Sequence, residues 1–252
     1  MMTNIPEIYH YLLSFLILSG WILVDYLTGK KTYYEATVSN IDINLQKNRI
    51  EKFNQIYLIY IVLMFFVNSL SMSVFKDYIH SPFWSAPAIM TTLLVGMGFA
   101  SLYTDPPLHR VNRHSLRYVY IVNLLLTLGY SLTIKNGIEE VFATTVMVYG
   151  VCLFFLLFTF MMGASDLRAI MGLIPLYLII FNKFTIPVLI VHFIGIGIGH
   201  FIQKRKTKKS VPICHWLIIP VPFIVVSFVL LAEQYPELVK LTEVNLINGL
   251  SF

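Results

Sequence analysis

The sequence predicts an all-α, polytopic membrane protein of about eight transmembrane helices, and three observations carry that prediction. Of its 252 residues, 57% are hydrophobic and only 12% are charged, whereas a soluble domain carries about a quarter charged residues. The apolar residues fall in runs of roughly 20, the length an α-helix needs to cross the hydrocarbon core. The basic residues fall in the short polar stretches between those runs. A chain with so few polar groups cannot clothe a water-facing surface, so its solvent is largely lipid.

The candidate spans are 8–29, 55–75, 85–104, 117–135, 142–163, 169–182, 184–203 and 213–232. The first is read as a retained helix. Its apolar run, Tyr11 to Leu27, has no basic flank before it and gives way to Lys30 and Lys31 without small cleavage-site residues. The sixth is short and contains Pro175, which suits a partly embedded segment. A single helix over 169–203 would run about 50 Å at 1.5 Å per residue, too long for the bilayer, and Asn182-Lys183 is the natural turn.

Charge then sets the orientation. Alternate loops on one side hold Lys30, Lys31, Lys47, Arg49 and Lys52, then Arg110, Arg113 and Arg117, then Arg168, then Lys204, Arg205, Lys206, Lys208 and Lys209. The other side holds only Lys76, Lys135, Lys183 and Lys240. Short loops rich in Lys and Arg stay in the cytoplasm, so both termini are expected outside. The net charge of +5 is therefore a topology signal, and no nucleic-acid partner is expected. The two cysteines, Cys152 and Cys214, lie inside apolar runs and read as small buried residues. They make neither a zinc site nor a disulfide framework.

Ionisable groups at membrane depth are costly and are functional suspects. Of the five aspartates, Asp42 and Asp77 read as solvated loop charges, while Asp25, Asp105 and Asp166 sit at the cytoplasmic ends of expected helices. Asp105 follows the apolar run 85–104 and opens Asp105-Pro106-Pro107-Leu108-His109-Arg110-Val111-Asn112-Arg113. Asp166 lies in Gly163-Ala164-Ser165-Asp166-Leu167-Arg168, where small residues let backbones approach closely. Two such carboxyls brought together share a proton and activate a water, because like charges at close range divide into one acid and one base. The plainer alternatives are an N-cap at Asp166 and a turn at Asp105-Pro106-Pro107.

At these residues the chain resembles the prepilin peptidases, membrane aspartic proteases with a GxGD motif. The segment DPPLHRVNRHSL from Asp105 to Leu116 resembles that family's D-x-R-x-x-R-I-P-N-x-L-T. GASDLRA, with Asp166 and Arg168, resembles G-x-G-D-x-K-L. QKRKTKK followed by VPICHWL, matching at Val211, Pro212, Trp216 and Leu217, resembles a basic loop followed by I-P-F-G-P-F-L. The order of the three is the family's order, and the 61 residues from Asp105 to Asp166 leave room for two helices. Asp25, in LVDYLTGKK, ranks well behind Asp105 on this spacing and is read as a helix-end residue pairing with the nearby lysines.

The resemblance covers 85–232 and implies a GxGD aspartic protease-like bundle. The chain then divides into two N-terminal helices with a short cytoplasmic loop at 30–54 (residues 1–84), a six-helix core (85–232) and an extracytoplasmic tail (233–252). Asp105 and Asp166 are implied as the catalytic pair, with Gly163, Ser165, Arg168, Arg110 and Asn112 shaping the site. The implied substrates are prepilin-like membrane proteins, cut at the cytoplasmic face of a prokaryotic plasma membrane without metal or cofactor. The sequence departs from the family pattern at Ser165, Arg168, Asn112 and Cys214-His215. The 30–54 stretch lacks the paired CxxC motifs of the family's zinc loop, so methyl transfer to the product is not expected.

Other features read as structural. Gly195 and Gly199 form a GxxxG pattern suited to close helix packing. His192 and His200 are expected to be hydrogen-bonded within the bundle or at its boundary. Glu139 and Glu140 lie on the outer side without the arginine that the EExxxR motif of another membrane protease family needs. Two other function classes stay open at this level: an inactive relative in pilin-like assembly, and a small transporter or anchor. A transporter would be expected to show repeated halves or broken helices with polar groups at the midplane.

Overall fold

The computed structural model describes residues 6–38, 43–78, 83–108, 112–134, 150, 164–181, 185–207 and 220–235. Among the described residues all regular structure is helical: α1 (Glu7–Val38), α2 (Ile43–Tyr78), α3 (Ser85–Leu108), α4 (Arg113–Ile134), α5 (Ala164–Phe181), α6 (Thr185–Thr207) and α7 (Pro220–Gln234). Apart from Gly150, the span expected at 142–163 lies outside the described residues, as does the tail beyond Tyr235.

Helix ends differ from expectation at two places that matter. The polar stretch 30–54, expected as a loop, is helical over 30–38 and again over 43–54. It contains neither Gly nor Pro, so nothing in its backbone chemistry stops a helix that an apolar run has already nucleated. Helix α1 is thus about 48 Å long and α2 about 54 Å at 1.5 Å per residue.

Helix α3 likewise runs past its expected end, through Pro106-Pro107 to Leu108. Asp105 therefore sits within the last turn of a helix, not in a turn that follows one. Proline's φ is close to the helical value, so the chain keeps its course, but each ring removes an N–H that would bond back one turn, and the helix ends one residue past Pro107.

The bundle is built around α3, which packs against α1, α2, α4, α5 and α7. Every residue from Ser85 to Gly98 is buried. The sequence permits this because the stretch carries no charge and places Ala86, Ala88, Gly96 and Gly98 among its larger side chains, so neighbours approach from several sides. Helix α5 is similarly enclosed, buried continuously from Gly172 to Leu178, and packs mainly on α4 and also on α3 and α6.

Contacts fix the directions of the first four helices. His10 of α1 pairs with Ser85 at the start of α3 at 2.7 Å, and Glu7 pairs with Lys76 near the end of α2 at 3.0 Å. At the other end, Tyr57 of α2 bonds Ile22 of α1, and Asn112, before α4, bonds Asp25 of α1. Helices α1 and α3 therefore run from the Ser85 end to the Asn112 end, and α2 and α4 run back.

Gly96 is the tightest described point between helices. The Tyr60 hydroxyl donates to the Gly96 carbonyl at 2.7 Å. A Cβ added at Gly96 would lie 2.4 Å from the Met64 methyl and 2.9 Å from the Trp21 ring. The methyl can swing aside; the fully buried indole cannot. Gly96→Ala is expected to cost about 1–3 kcal/mol as overpacking, and Gly96→Val more, read as a fall in the unfolding midpoint. Wild-type midpoints for both would contradict the packing described.

The outer faces are as apolar as the interior. Leu12, Phe15, Leu16, Leu23 and Leu27 of α1 and Leu58, Ile59, Val62, Phe66 and Leu70 of α2 are exposed. Exposed too are Ile190, Val191, Ile194, Ile198, Phe201 and Ile202 of α6. Among the described residues, Glu7–Lys30 and Tyr57–Lys76 are long and apolar enough to cross a membrane, and only 28% and 22% of these stretches is buried inside the chain. The core helix of a soluble protein would be mostly buried; these turn most of their apolar surface outward.

Among the described residues, Gly195 of the GxxxG pattern makes no close helix contact. Helix α6 meets the bundle through Leu189, His192 and Ile196, and Gly195 lies off that stripe, exposed, with no atom within 4 Å of an added Cβ.

Candidate functional site

The most polar buried centre among the described residues surrounds Asp25. It forms because α1 carries a carboxylate in its inward stripe, three and four residues beyond the half-buried Ile22 and the buried Trp21 ring. Asp25 is 4% exposed. The side-chain amide of Asn112 donates to its Oδ1 at 3.1 Å and to Thr28 Oγ1 at 2.7 Å. The hydroxyl of Tyr57 lies 3.2 Å from Oδ2 and 2.9 Å from the Ile22 carbonyl. The buried Ser115 hydroxyl stands beside the same carboxyl without a hydrogen bond of good geometry.

Asn112 has a second task. Its Oδ1 accepts from the backbone N–H of His114 at 3.1 Å and of Ser115 at 3.4 Å, so it is the N-cap of α4. The amide is thereby oriented: oxygen to the helix start, nitrogen to Asp25. One side chain joins α1 to the beginning of α4, and Tyr57 adds α2.

This corrects the sequence reading of Asp25. It is an interior residue bonded to Asn112 and Tyr57, and among the described residues no lysine or arginine pairs with it. Lys30 instead lies 5.8 Å from the centre of the Tyr26 ring. The reason is helical phase: Asp25 shares a face with Leu18, Trp21 and Gly29, which are buried, while Lys30 is exposed.

The expected catalytic pair is seen through its backbone. Asp105 is the fourth residue from the end of α3, and Asp166 is the third residue of α5; their side chains lie outside the described residues, as do those of Ser165 and Arg168, and Gly163 and Arg110 lie outside altogether. Helices α3, α4 and α5 pack on one another. Their common level is marked by Gly172, whose carbonyl accepts from the Asn123 amide at 2.7 Å and which lies against Val119 and Leu94. Arg113, just past the Asp105 segment, is exposed. Of the expected site-shaping residues, Asn112 is the one whose contacts are described, and they lead to Asp25.

His192 is hydrogen-bonded within the bundle as expected, its Nδ1 lying 2.9 Å from the Tyr177 hydroxyl. Among the described residues no three His, Cys, Asp or Glu side chains gather as a metal site would require. Comparison with protein families, curated proteins and solved structures finds no match to this chain. The resemblance to prepilin peptidases rests on the three motifs alone.

Asn112→Ala removes a helix cap, worth about 1–2 kcal/mol, and leaves a buried acceptor on Asp25 unmet, worth about 1–3 kcal/mol. A loss on the order of 2–4 kcal/mol in reversible unfolding is expected. An effect below about 0.5 kcal/mol, typical of a surface site, would contradict the geometry.

Proposed function

We propose that this chain is a multi-pass membrane aspartic endopeptidase that removes the leaders of prepilin-like proteins at the cytoplasmic face, with Asp105 and Asp166 as its acid–base pair. The observation that carries the reading is the mutual packing of α3, α4 and α5. It supports a single unit that includes α3 and α5, the two elements bearing these aspartates.

In this reading α5 runs parallel to α4, the direction a span at 142–163 gives it. Asp166 then lies about 9 Å, and Asp105 about 16 Å, beyond the Gly172 level toward the Asn112 end. The axial difference of about 7 Å is within reach of two Asp side chains and an intervening water. The apolar outer faces of α1, α2 and α6 support a lipid surround, and the segregation of Lys and Arg supports both termini outside.

The chemistry needs no further group. One carboxylate takes a proton from the water whose oxygen attacks the scissile carbonyl. The other, as a carboxylic acid, protonates the leaving amine as the C–N bond breaks. The substrate is a basic leader joined to an apolar helix, so the helix lies in the bilayer beside the enzyme and the scissile bond sits at the membrane boundary.

The test is co-expression with a prepilin-like protein, reading leader loss for wild type, Asp105→Asn, Asp166→Asn and Asp25→Asn. Cleavage by wild type and Asp25→Asn, and not by the other two, supports the pair. Wild type inactive on several such substrates, or cleavage retained in Asp105→Asn, would overturn it.

A further inference from the structure

We propose that Asp25 is a positioning residue: it holds the N-cap of α4 in place, and with it the connection that follows Asp105, acting through hydrogen bonds and not as a titrating base. The inference rests on the peptidase reading for its functional arm and on described geometry for its structural arm.

The connection from Asp105 to Asn112 is short, and both its ends are anchored to helices. At one end is the last turn of α3; at the other is Asn112, whose own backbone carbonyl accepts from Leu116 at 3.1 Å and whose side chain caps α4. The cap's side chain is tied to the neighbouring helix α1 through Asp25 and Thr28, 84 to 87 residues away in sequence, and Tyr118, further along α4, donates to the Ile17 carbonyl of α1 at 2.9 Å. Tyr57 fixes Asp25 from the far side, tied to α1 through the Ile22 carbonyl. Three helices meet at one carboxyl, whose partner Asn112 stands seven residues from Asp105 along the chain.

Proton counting indicates how the carboxyl works. Tyr57 has one hydroxyl proton and two oxygens in range, and the shorter contact, 2.9 Å, is to Ile22 O. The Tyr57 hydroxyl is the donor in both contacts, shared between the Ile22 carbonyl and Oδ2 of Asp25 at 3.2 Å. Oδ1 remains the acceptor for Asn112. Among the described residues no cation joins the set, so hydrogen bonds from Asn112 and Tyr57 are what satisfy the carboxyl in a site where an unmet polar group is expensive. An asparagine at 25 keeps the oxygen that accepts from Asn112, and its nitrogen donates to the Tyr57 oxygen once the Tyr57 proton goes to the Ile22 carbonyl. An alanine reproduces none of it.

The experiment uses the full chain in proteoliposomes with a prepilin-like substrate. It follows kcat, KM and the pH profile of cleavage, and unfolding midpoints, for wild type, Asp25→Asn, Asp25→Ala, Asn112→Ala and the Asp25→Ala/Asn112→Ala pair. Asp25→Asn is expected to keep the wild-type midpoint, rate and pH profile. Asp25→Ala and Asn112→Ala are each expected to lower kcat by tenfold or more with KM within about twofold, and the pair to be little worse than either alone, as contact partners are.

Asp25→Asn folded yet inactive would make the residue a working carboxylate and overturn the proposal. So would Asp25→Ala folded with wild-type kcat. If wild type itself does not cleave, the peptidase reading fails, and the clamp is decided by unfolding alone. Coupled losses in the Asp25→Ala/Asn112→Ala cycle would then sustain it, and additive losses would overturn it.

Discussion

Asp105→Asn and Asp166→Asn are each expected to lower leader cleavage by about 10²–10⁴-fold, the range that positioned general acid–base groups supply. The amide keeps the size and shape of the carboxyl but neither accepts a proton from water nor returns one to the leaving amine. Both substitutions fall at helix ends, in the last turn of α3 and the first turn of α5, so the bundle is expected to fold around them. Groups that act as a unit are not additive, and the double variant is expected to be no slower than the worse single one by more than a few-fold. Purified variants assayed for rate and unfolding midpoint check this. A slow enzyme with an intact midpoint is the expected result, and equal loss of both would show only that folding had failed.

The second large effect concerns the solvent of the outer faces. Phe66, near the middle of the Tyr57–Lys76 stretch, is 60% exposed. In a water-surrounded protein Phe66→Lys would fall within about ±0.5 kcal/mol, as exposed substitutions usually do. At the centre of a bilayer a lysine costs about 2.5–3.5 kcal/mol. Phe66→Lys is therefore expected to cut the membrane-inserted yield sharply, while Tyr235→Lys, at an exposed position beyond α7, leaves it unchanged. Equal yields would contradict a lipid-facing α2.

How much of this was legible in the sequence depends on the distance over which each feature is determined. The helical class and the apolar runs are local properties: seven of the eight expected runs overlap described helices, and two of those helices hold stretches long and apolar enough to cross a membrane. Helix ends were less legible. The 30–54 stretch is polar and predicts a loop, yet polarity does not end a helix; Gly, Pro and caps do, and the cap-type residues Ser39, Asn40 and Asp42 fall between α1 and α2. At Asp105 the opposite happened, because Pro106-Pro107 signal a stop that a final helical turn tolerates.

The Asp25 centre was the least legible. Asp25 within an apolar run carried the one available signal, an ionisable group at membrane depth. The nearby Lys30 and Lys31 suggested a local partner, but the actual partner, Asn112, lies 87 residues on. Asn112 itself stood out only as a departure from a motif. Its role as a cap joined to another helix is a tertiary fact, visible once α1 and α4 are seen side by side.

The most direct test of the central claim is whether positions 105 and 166 meet. Cys152 and Cys214 are replaced by alanine, Asp105→Cys and Asp166→Cys are introduced together, and native membranes are treated with a short bifunctional thiol reagent. The account predicts an intramolecular cross-link in the paired variant, detected after proteolysis between the two positions. Both thiols reacting singly but never joining would contradict it, since the acid–base pair requires these residues to share one water.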